Sequence, residues 1–176
     1  MLFRPSKLAG VFVIDIEPHI DDRGLFARTY CESEFSEAGL PDRYVQCNTS
    51  FNVHRGTIRG MHYQRAPAEE GKLVRCTQGA IFDVVVDFRR SSETFCEWEG
   101  IELTSENRRG LFVPKGCLHG FQTLVDHTEV FYQMTEAYRA ELSDGFRWDD
   151  PAFGIIWPLP DPILSPRDRS YPKFAE

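Results

Sequence analysis

Apolar and polar residues alternate with a period of two along much of the chain, a pattern typical of β-strands. The clearest run is residues 81–89, in which Phe82, Val84, Val86 and Phe88 alternate with Asp83, Val85, Asp87 and Arg89. This run predicts a strand with one apolar face toward a core. Residues 72–77 form a similar run before it, and Gln78-Gly79 between the two runs predicts a turn.

Shorter runs with strand character occupy most of the remaining chain. They are residues 11–16, 44–51, 57–64, 97–103, 109–113, 120–124 and 129–135. Short strands about ten residues apart predict an all-β sandwich or barrel. Residues 21–24 predict a turn, and residues 32–40 predict a short helix. After Tyr138 the chain is irregular and rich in proline and aromatic residues, which predicts an extension packed across the barrel.

The composition predicts one domain, residues 1–176, with a core of its own. Hydrophobic residues make up 41% of the chain, and the net charge of −7 disfavours nucleic acid as a partner, because a phosphate backbone requires a basic surface. The five cysteines form no CxxC pair, which indicates reduced thiols. The sequence shows no signal peptide and no apolar run long enough to span a membrane, so we expect a cytoplasmic protein without a membrane partner.

Charged and titratable groups are concentrated in residues 56–72, GTIRGMHYQRAPAEEGK. Arg59 and Lys72 are fixed cations and His62 titrates near neutral pH, so the set suits an anionic substrate whose reaction moves a proton. Arg59 and His62 are three residues apart, and on a flat strand they would face opposite sides. A β-bulge or a barrel rim is therefore needed to bring them together.

The neighbouring residues indicate different roles for the other histidines. His119 is followed by Gly120, and we favour a ligand-binding role over that of an exposed turn residue, because glycine allows close backbone approach. We expect no role in the site for His19, His54 and His127, which lie in polar segments. Metal-binding β-barrels carry two histidines one residue apart on a strand. Gln64 stands at the second of these positions, so we expect no metal.

Spacing alone does not select Tyr132, Tyr138 or Asp168 for a site. A tyrosine in a strand is usually a core residue with its hydroxyl at the rim. An isolated aspartate near the end of a chain is usually solvated. A role for any of them needs a further argument.

A set of motifs in a fixed order provides that argument. The motifs are Asp22-Arg23-Gly24-Leu25-Phe26, Gln46-Cys47-Asn48, Arg59-Gly60-Met61-His62-Tyr63-Gln64, Lys72-Leu73-Val74-Arg75, Asp83-Val84-Val85-Val86-Asp87, Val113-Pro114-Lys115-Gly116, His119-Gly120-Phe121, Trp148-Asp149-Asp150-Pro151 and Leu164-Ser165-Pro166-Arg167-Asp168. With these motifs the chain resembles the dTDP-4-dehydrorhamnose 3,5-epimerases, which act on nucleotide-linked 4-keto-6-deoxy sugars. The resemblance implies a cupin-type antiparallel β-barrel or jelly roll, a homodimer, a nucleotide-sugar substrate, and neither a metal nor an organic cofactor.

The resemblance also implies roles for the candidate residues. His62 matches the general base and Asp168 its carboxylate partner. Tyr132 matches the general acid on the opposite face of the sugar, and Lys72 matches the residue that steadies the enolate oxygen. The positions that match substrate-binding residues are Arg23, Phe26, Arg28, Gln46, Asn48, Arg59, His119, Tyr138 and Arg167. The implied reaction inverts C3, C5 or both, in deoxysugar biosynthesis for cell-surface polysaccharides.

Two positions depart from the family pattern. Ala27-Arg28 stands where the family has an aromatic residue followed by glutamate, and Cys47 replaces an acidic residue. Both changes leave the implied acid–base set intact but affect the expected nucleotide pocket. A cytidine- or uridine-linked sugar is therefore an alternative to a thymidine-linked one.

Two other classes of function are alternatives. One is a non-catalytic cupin that binds a sugar nucleotide, although a binding protein does not need the complete set of His62, Asp168, Lys72 and Tyr132. The other is a metal-dependent cupin oxygenase or isomerase, against which Gln64 argues.

Overall fold

Antiparallel strands dominate the computed structural model of the protein, which describes residues 1–175. Its strands are β1 (Leu2–Pro5), β2 (Phe12–Asp15), β3 (His19–Asp21), β4 (Gly24–Phe26), β5 (Gln46–Asn52), β6 (Ile58–Gln64), β7 (Lys72–Gln78), β8 (Ala80–Asp87), β9 (Trp98–Thr104), β10 (Gly110–Val113), β11 (Cys117–Thr123), β12 (Thr128–Met134) and β13 (Ser143–Gly145). Its helices are α1 (Glu32–Glu37) and α2 (Pro166–Ser170).

The strands form two main sheets that face each other. One sheet has the order β1-β2-β10-β7-β12-β5, and the other has the order β13-β6-β11-β8-β9. Strands β3 and β4 form a separate hairpin around the predicted turn. Neighbouring strands pair antiparallel throughout these sheets. The predicted fold class, an all-β cupin-type antiparallel barrel with short helices, is confirmed.

Apolar side chains from both sheets fill the core between them. Val74 comes from the six-stranded sheet, and Ile81 and Val85 come from β8 in the five-stranded sheet. The prediction of a single apolar face on β8 is wrong, because Val84 and Val86 are also buried, in a second cluster on the outer face of that sheet. The odd-numbered residues of β8 therefore face the barrel interior.

The outer face of each sheet is covered by a different end of the chain. Over the six-stranded sheet, Phe35 of α1 packs with Ile14 and Phe112. Over the five-stranded sheet, Phe153 of the C-terminal extension packs with Val84. The predicted position of this extension across the barrel is confirmed, but the extension also contains β13 and α2, which the sequence pattern does not predict.

Strand β11 differs from its prediction in a way that affects the site. It begins at Cys117 rather than at residue 120, and all 7 of its residues are buried. His119 therefore lies within a buried strand and not in a turn. Glycine at position 120 leaves this strand close to β6, where a Cβ on Gly120 would lie 2.9 Å from the Arg59 carbonyl oxygen.

No helix within residues 1–175 is long and apolar enough to cross a membrane. Cys31, Cys47, Cys76 and Cys117 are free thiols within the part of the chain that the structure describes.

Candidate active site

A cavity of about 490 Å³ opens between the two sheets. Strands β5, β7 and β12 line it from the six-stranded sheet, and β6 and β11 line it from the five-stranded sheet. Its polar and titratable lining includes Gln46, Asn48, Ser50, Arg59, His62, Gln64, Glu70, Lys72, His119, Tyr132 and Tyr138. The cavity thus collects most of the residues that the sequence singled out.

A β-bulge in β6 turns Arg59 and His62 toward this cavity. Opposite them on β11, His62 pairs with His119 and Arg59 pairs with Phe121, so three steps along β6 match two steps along β11. The expectation that a bulge unites the two side chains is confirmed. Gly120, between these paired positions, serves the close approach of the two strands.

His62 is held by a carboxylate from the C-terminal extension. Its Nε2 lies 2.6 Å from Asp168 Oδ1. Since a carboxylate accepts hydrogen bonds, Nε2 carries the hydrogen, and Nδ1 is the nitrogen that can take a proton. Asp168 is itself fixed in the first turn of α2, where its backbone N–H donates to the N-cap Ser165 Oγ at 3.0 Å. The Tyr171 ring packs beside the imidazole with the two ring centroids 5.7 Å apart.

A second histidine–carboxylate pair lies in the same wall. His119 Nε2 is 2.8 Å from Asp83 Oδ1, and the two side chains are 10% and 0% exposed. Asp83 Oδ2 is buried and makes no hydrogen bond within residues 1–175. The alternative of an exposed turn histidine is therefore wrong, and His119 lines the cavity. Its ligand-binding role stays a prediction.

Lys72 reaches the cavity from the start of β7. Its Nζ is 2.9 Å from Glu70 Oε1, and the side chains are only 11% and 5% exposed. Gly71, between the two, is fixed to the end of β12 by Thr135. Its N–H donates to Thr135 Oγ1 at 2.8 Å, and its carbonyl accepts from the Thr135 N–H at 3.0 Å. The ion pair therefore stands on a rigid backbone.

Tyr132 faces the cavity from β12, where it lies between Asn48 of β5 and Val74 of β7. Burial raises the pKa of Tyr132, while the positive charge of Arg59 lowers it and the negative charge of Glu70 raises it. A phenol whose pKa is raised stays protonated at neutral pH and can donate its proton.

Several polar groups of the cavity are held in place by hydrogen bonds. Arg59 Nε donates to Asn52 Oδ1 at 2.7 Å. Gln46 Nε2 donates to Asn48 Oδ1 at 3.0 Å. Gln46 Oε1 accepts from the backbone N–H of Tyr138 at 2.9 Å. These groups present fixed donors and acceptors to a bound molecule.

Tyr138 and Arg167 meet beside the cavity. Hydrogen bonds from Arg167 and Ser143 lower the pKa of Tyr138. Arg167 Nη2 also donates to the Ser143 carbonyl oxygen at 3.2 Å, and the guanidinium lies 5.6 Å from the centroid of the Tyr171 ring. Helix α2 thus carries a cation, Arg167, next to Asp168.

Besides Arg167, three predicted substrate-binding residues do not line the cavity of their own chain. Arg23 and Phe26 belong to the β3–β4 hairpin, where the Arg23 side chain is 89% exposed and pairs with Asp21. Phe26 is 75% exposed. Arg28 pairs with Glu34 of α1, with Nη1 and Oε1 2.5 Å apart. The structure brings none of the three together with His62.

Cys47 also lies away from the cavity lining. It is exposed on β5, whereas its neighbours Gln46 and Asn48 line the cavity. This departure from the family pattern therefore changes the outer surface of β5 and leaves the polar lining unchanged.

Gln64 uses its amide to hold two loops together. Its Nε2 donates to the carbonyl oxygens of Ala68 at 2.5 Å and Ala137 at 3.0 Å, and its Oε1 accepts from the Arg139 N–H at 2.7 Å. Across residues 1–175, no group of three or more histidine, cysteine or acidic side chains could hold a metal ion. The expectation of a metal-free site stays a prediction.

Sequence reasoning missed two buried acids of the site, Glu70 and Asp83. Glu70 follows Glu69, which is exposed, and the letters do not distinguish the two. Asp83 did carry a signal, because an aspartate within an apolar strand requires a partner when buried. The wrong assignment of the β8 faces hid that signal.

The cavity combines two acid–base groups from opposite sheets, His62 and Tyr132, with a cation, Lys72. His62 lies on the five-stranded sheet, and Tyr132 lies on the six-stranded sheet. Lys72 lines the same space and can stabilise an oxyanion. Such a set can remove a proton from a carbon next to a carbonyl group and return a proton from the other side.

Comparison with known proteins gives a consistent result. Residues 5–176 match the sequence profile of the family described as dTDP-4-dehydrorhamnose 3,5-epimerase. The chain is 46% identical to the dTDP-4-dehydrorhamnose 3,5-epimerase of Methanothermobacter thermautotrophicus, over 99% of this chain and 95% of that protein. It is 39% identical to the dTDP-4-dehydrorhamnose 3-epimerase of Streptomyces niveus, over 100% of this chain and 85% of that protein.

A solved structure shows the same fold. The dTDP-4-dehydrorhamnose 3,5-epimerase of Bacillus anthracis, with TDP and PPi bound, superposes with a TM-score of 0.96 at 40% sequence identity. The superposition covers 98% of this chain and 99% of that chain.

Proposed function

Because the chain belongs to the dTDP-4-dehydrorhamnose 3,5-epimerase family, we propose that it inverts carbon centres beside the C4 ketone of a dTDP-linked 4-keto-6-deoxyhexose. The observation that carries this proposal is the position of His62 and Tyr132 on opposite sheets around one cavity. Inversion requires that a proton leave one face of the sugar and that another arrive on the opposite face. A site with two such groups meets that requirement.

The reaction begins at the imidazole of His62. The C4 ketone acidifies the hydrogens on C3 and C5, and Nδ1 takes one of them while Asp168 holds Nε2–H at 2.6 Å. The electrons of the broken C–H bond form a C=C bond, and the carbonyl electrons move to the C4 oxygen as an enolate. Lys72 stabilises that negative charge.

Tyr132 completes the inversion. Its phenol gives a proton to the carbon from the opposite face as the enolate collapses to the ketone. The enzyme is then left with an imidazolium at His62 and a phenolate at Tyr132, which return to their starting states by exchanging protons with water. Hydrogen from the solvent therefore appears at each inverted carbon.

The fixed polar groups of the cavity bind the rest of the substrate. Arg59 supplies a cation for the diphosphate or the sugar, and His119, Gln46 and Asn48 supply hydrogen bonds. A thymidine-linked substrate is supported by the TDP in the Bacillus anthracis relative and by the position of Cys47 outside the lining. The two named relatives share inversion at C3, and the archaeal relative adds C5.

The exposed β3–β4 hairpin supports a homodimer. Ile20, Leu25 and Phe26 are 77%, 43% and 75% exposed there. Arg23 and Phe26 do not line the cavity of their own chain, so their substrate-binding role requires a second chain. We therefore propose that a partner copy covers the hairpin and that these residues reach its cavity. A cytoplasmic location is proposed on the free thiols of Cys31, Cys47, Cys76 and Cys117.

Nuclear magnetic resonance of the reaction in D2O tests this function. With dTDP-4-keto-6-deoxyglucose, we expect deuterium at every inverted carbon. His62→Ala should abolish exchange, whereas Tyr132→Phe should retain exchange and reduce inversion on the order of 10²-fold, the usual size of a general-acid contribution. Full inversion by Tyr132→Phe would show that the acid assignment is wrong.

The same experiment separates the alternatives. His54→Ala is the matched control, because His54 is exposed and lies outside the cavity. Its exchange rate should equal that of the parent protein. Binding of the substrate without exchange would identify a non-catalytic sugar-nucleotide protein. Parallel reactions with cytidine- and uridine-linked sugars identify the preferred nucleotide.

A further inference from the structure

Glu70 is a charged cavity residue that has no part in the steps above. Its Oε1 lies 2.9 Å from Lys72 Nζ in an ion pair, and its side chain is 5% exposed. Its Oε2 is buried and makes no hydrogen bond within residues 1–175. A buried carboxylate oxygen without a partner destabilises the fold, so its presence in a substrate cavity points to a functional need for the charge.

The buried Lys72 ammonium requires a negative charge close to it. Its side chain is 11% exposed, and an isolated ammonium at this depth would be strongly unfavourable. Glu70 Oε1 lies 2.9 Å from this ammonium and supplies the opposite charge. Because Gly71 is tied to Thr135 by two hydrogen bonds, Glu70 holds the ammonium from a fixed position.

Glu70 also lines the same cavity as Tyr132, and its negative charge raises the pKa of that phenol. The pKa of this phenol depends on its own burial and on the charges of Arg59 of β6, Glu70 and Tyr138. The other titratable groups that line the cavity with it are His62 and Tyr63 of β6, Lys72 of β7 and His119 of β11. Of the carboxylates near the cavity, Asp83 and Asp168 are each engaged by a histidine.

We propose that Glu70 is a positioning residue for the reaction: its carboxylate fixes the Lys72 ammonium at the cavity wall and places a negative charge beside the Tyr132 phenol. The inference rests on the proposed function, in which Lys72 steadies the enolate and Tyr132 gives the proton. Glu70 acts through these two groups and needs no contact with the sugar. Its charge, and not only its shape, is what the reaction uses.

The charge can be removed with little change of shape by Glu70→Gln. Removing a negative charge lowers the pKa of a neighbouring phenol, and a general acid is lost once the pH rises through its pKa. The alkaline limb of the kcat profile should therefore move to lower pH, and kcat at its optimum should fall at least tenfold because Lys72 has lost its counter-ion. Glu70→Asp keeps the negative charge, so the alkaline limb of its kcat profile should stay near the pH at which it lies in the parent enzyme.

Glu69→Gln is the matched control. It makes the same change in net charge one residue away, at an exposed side chain. Its pH profile should coincide with that of the parent enzyme. If Glu70→Gln and Glu69→Gln give the same limb and kcat values within twofold of each other, the proposal is overturned.

A titration without substrate tests the charge effect separately from the epimerase activity. Phenolate absorbance is measured as the pH is raised, for the parent protein and for Tyr132→Phe. The difference between the two curves isolates Tyr132 among the six tyrosines, and the same pair of curves is measured with Glu70→Gln added to both proteins. Glu70→Gln should lower the midpoint of that difference, and an unchanged midpoint refutes the proposal even in an active epimerase. A lowered midpoint in a protein without epimerase activity supports the electrostatic part and refutes the proposed function.

If Glu70→Gln alone does not fold, we compare the single variant Lys72→Met with the double variant that carries both Lys72→Met and Glu70→Gln. The double variant leaves neither member of the ion pair as an unpaired charge. Glu70→Gln should still lower the Tyr132 midpoint in that background. The same midpoint in the single and double variants would refute the placement of the negative charge beside Tyr132.

Discussion

The proposed base depends on a carboxylate that lies 106 positions further along the chain. Asp168 is buried and accepts the hydrogen of His62 Nε2, so it selects the tautomer in which Nδ1 is free to take a proton. The capping bond from the Asp168 N–H to Ser165 fixes the carboxylate in turn. At this scale the base is a pair of residues and not a single histidine.

Asp168→Asn tests that dependence. An asparagine amide can donate to Nε2 and favour the wrong tautomer, so kcat should fall on the order of 10²- to 10⁴-fold with a much smaller change in KM. Steady-state kinetics with the keto sugar measure both constants. Asp144→Asn is the control, because Asp144 is partly exposed and pairs with Arg65 outside the cavity lining. Equal kcat values for the two variants would contradict an orienting role.

Sequence patterns identified His62, Arg59 and Lys72 because these residues lie close together in one segment. They could not select Tyr132 or Asp168, since the contacts that distinguish a site residue from a core tyrosine or a solvated aspartate form only in the folded chain. Only the resemblance to a family supplied them. Glu70 was missed for the same reason, because burial alone separates it from Glu69.

Among the secondary-structure elements, strand β6 determines the shape of the site through its bulge. It lets Arg59 and His62, three residues apart, face one cavity while β6 stays paired with β11. The two strands approach so closely that Gly120 has no room for a side chain. Its Cβ would lie 2.7 Å from Met61 Sδ and 2.9 Å from the Arg59 carbonyl oxygen.

Gly120→Ala should therefore reduce both stability and activity. The clash with backbone pushes β6 away, which we expect to lower the free energy of unfolding by roughly 1–3 kcal/mol, as in other overpacked sites. The displaced base should also lower kcat. Gly110→Ala is the control, since its new Cβ would make only ordinary contacts, the nearest at 3.5 Å to Leu73 Cδ1. Chemical denaturation of both variants checks the difference, and equal midpoints would contradict it.

Elements with many alternating residues were predictable, whereas several of the shortest elements were not. The run at residues 81–89 identified β8, but alternation did not reveal which face points inward, because the C-terminal extension buries the outer face as well. Strands β3, β4 and β13 have 3 residues each, too few for a period to appear. Helix α2 is 5 residues long and shows only its cap, Ser165-Pro166.

At the scale of the whole molecule, the fold class followed from the repeated short strands, but the assembly does not follow from one chain. The exposed hairpin places Phe26 away from its own cavity, with 75% of the residue exposed. A patch of this kind is expected to pack against another chain. The proposed homodimer gives that patch a partner.

Sedimentation velocity over a concentration series measures the assembly. The parent protein should sediment as a dimer of the 20.3 kDa chain. Phe26→Ser should weaken the dimer at least about tenfold, as expected for loss of a central aromatic contact. Ile156→Ser is the control, because Ile156 is also 75% exposed but lies on the C-terminal extension. Equal dissociation constants would exclude the hairpin from the interface.

The position of Asp168 after all barrel strands has a consequence for synthesis. Strands β1 to β13 precede α2 in the chain, so the ribosome makes every strand before the carboxylate that orients the proposed base. A nascent chain can pair all of its strands and still lack a working base. A message that stops before codon 168 encodes the barrel strands and His62 but not the carboxylate that orients His62. We therefore expect activity to appear only after translation has passed codon 168.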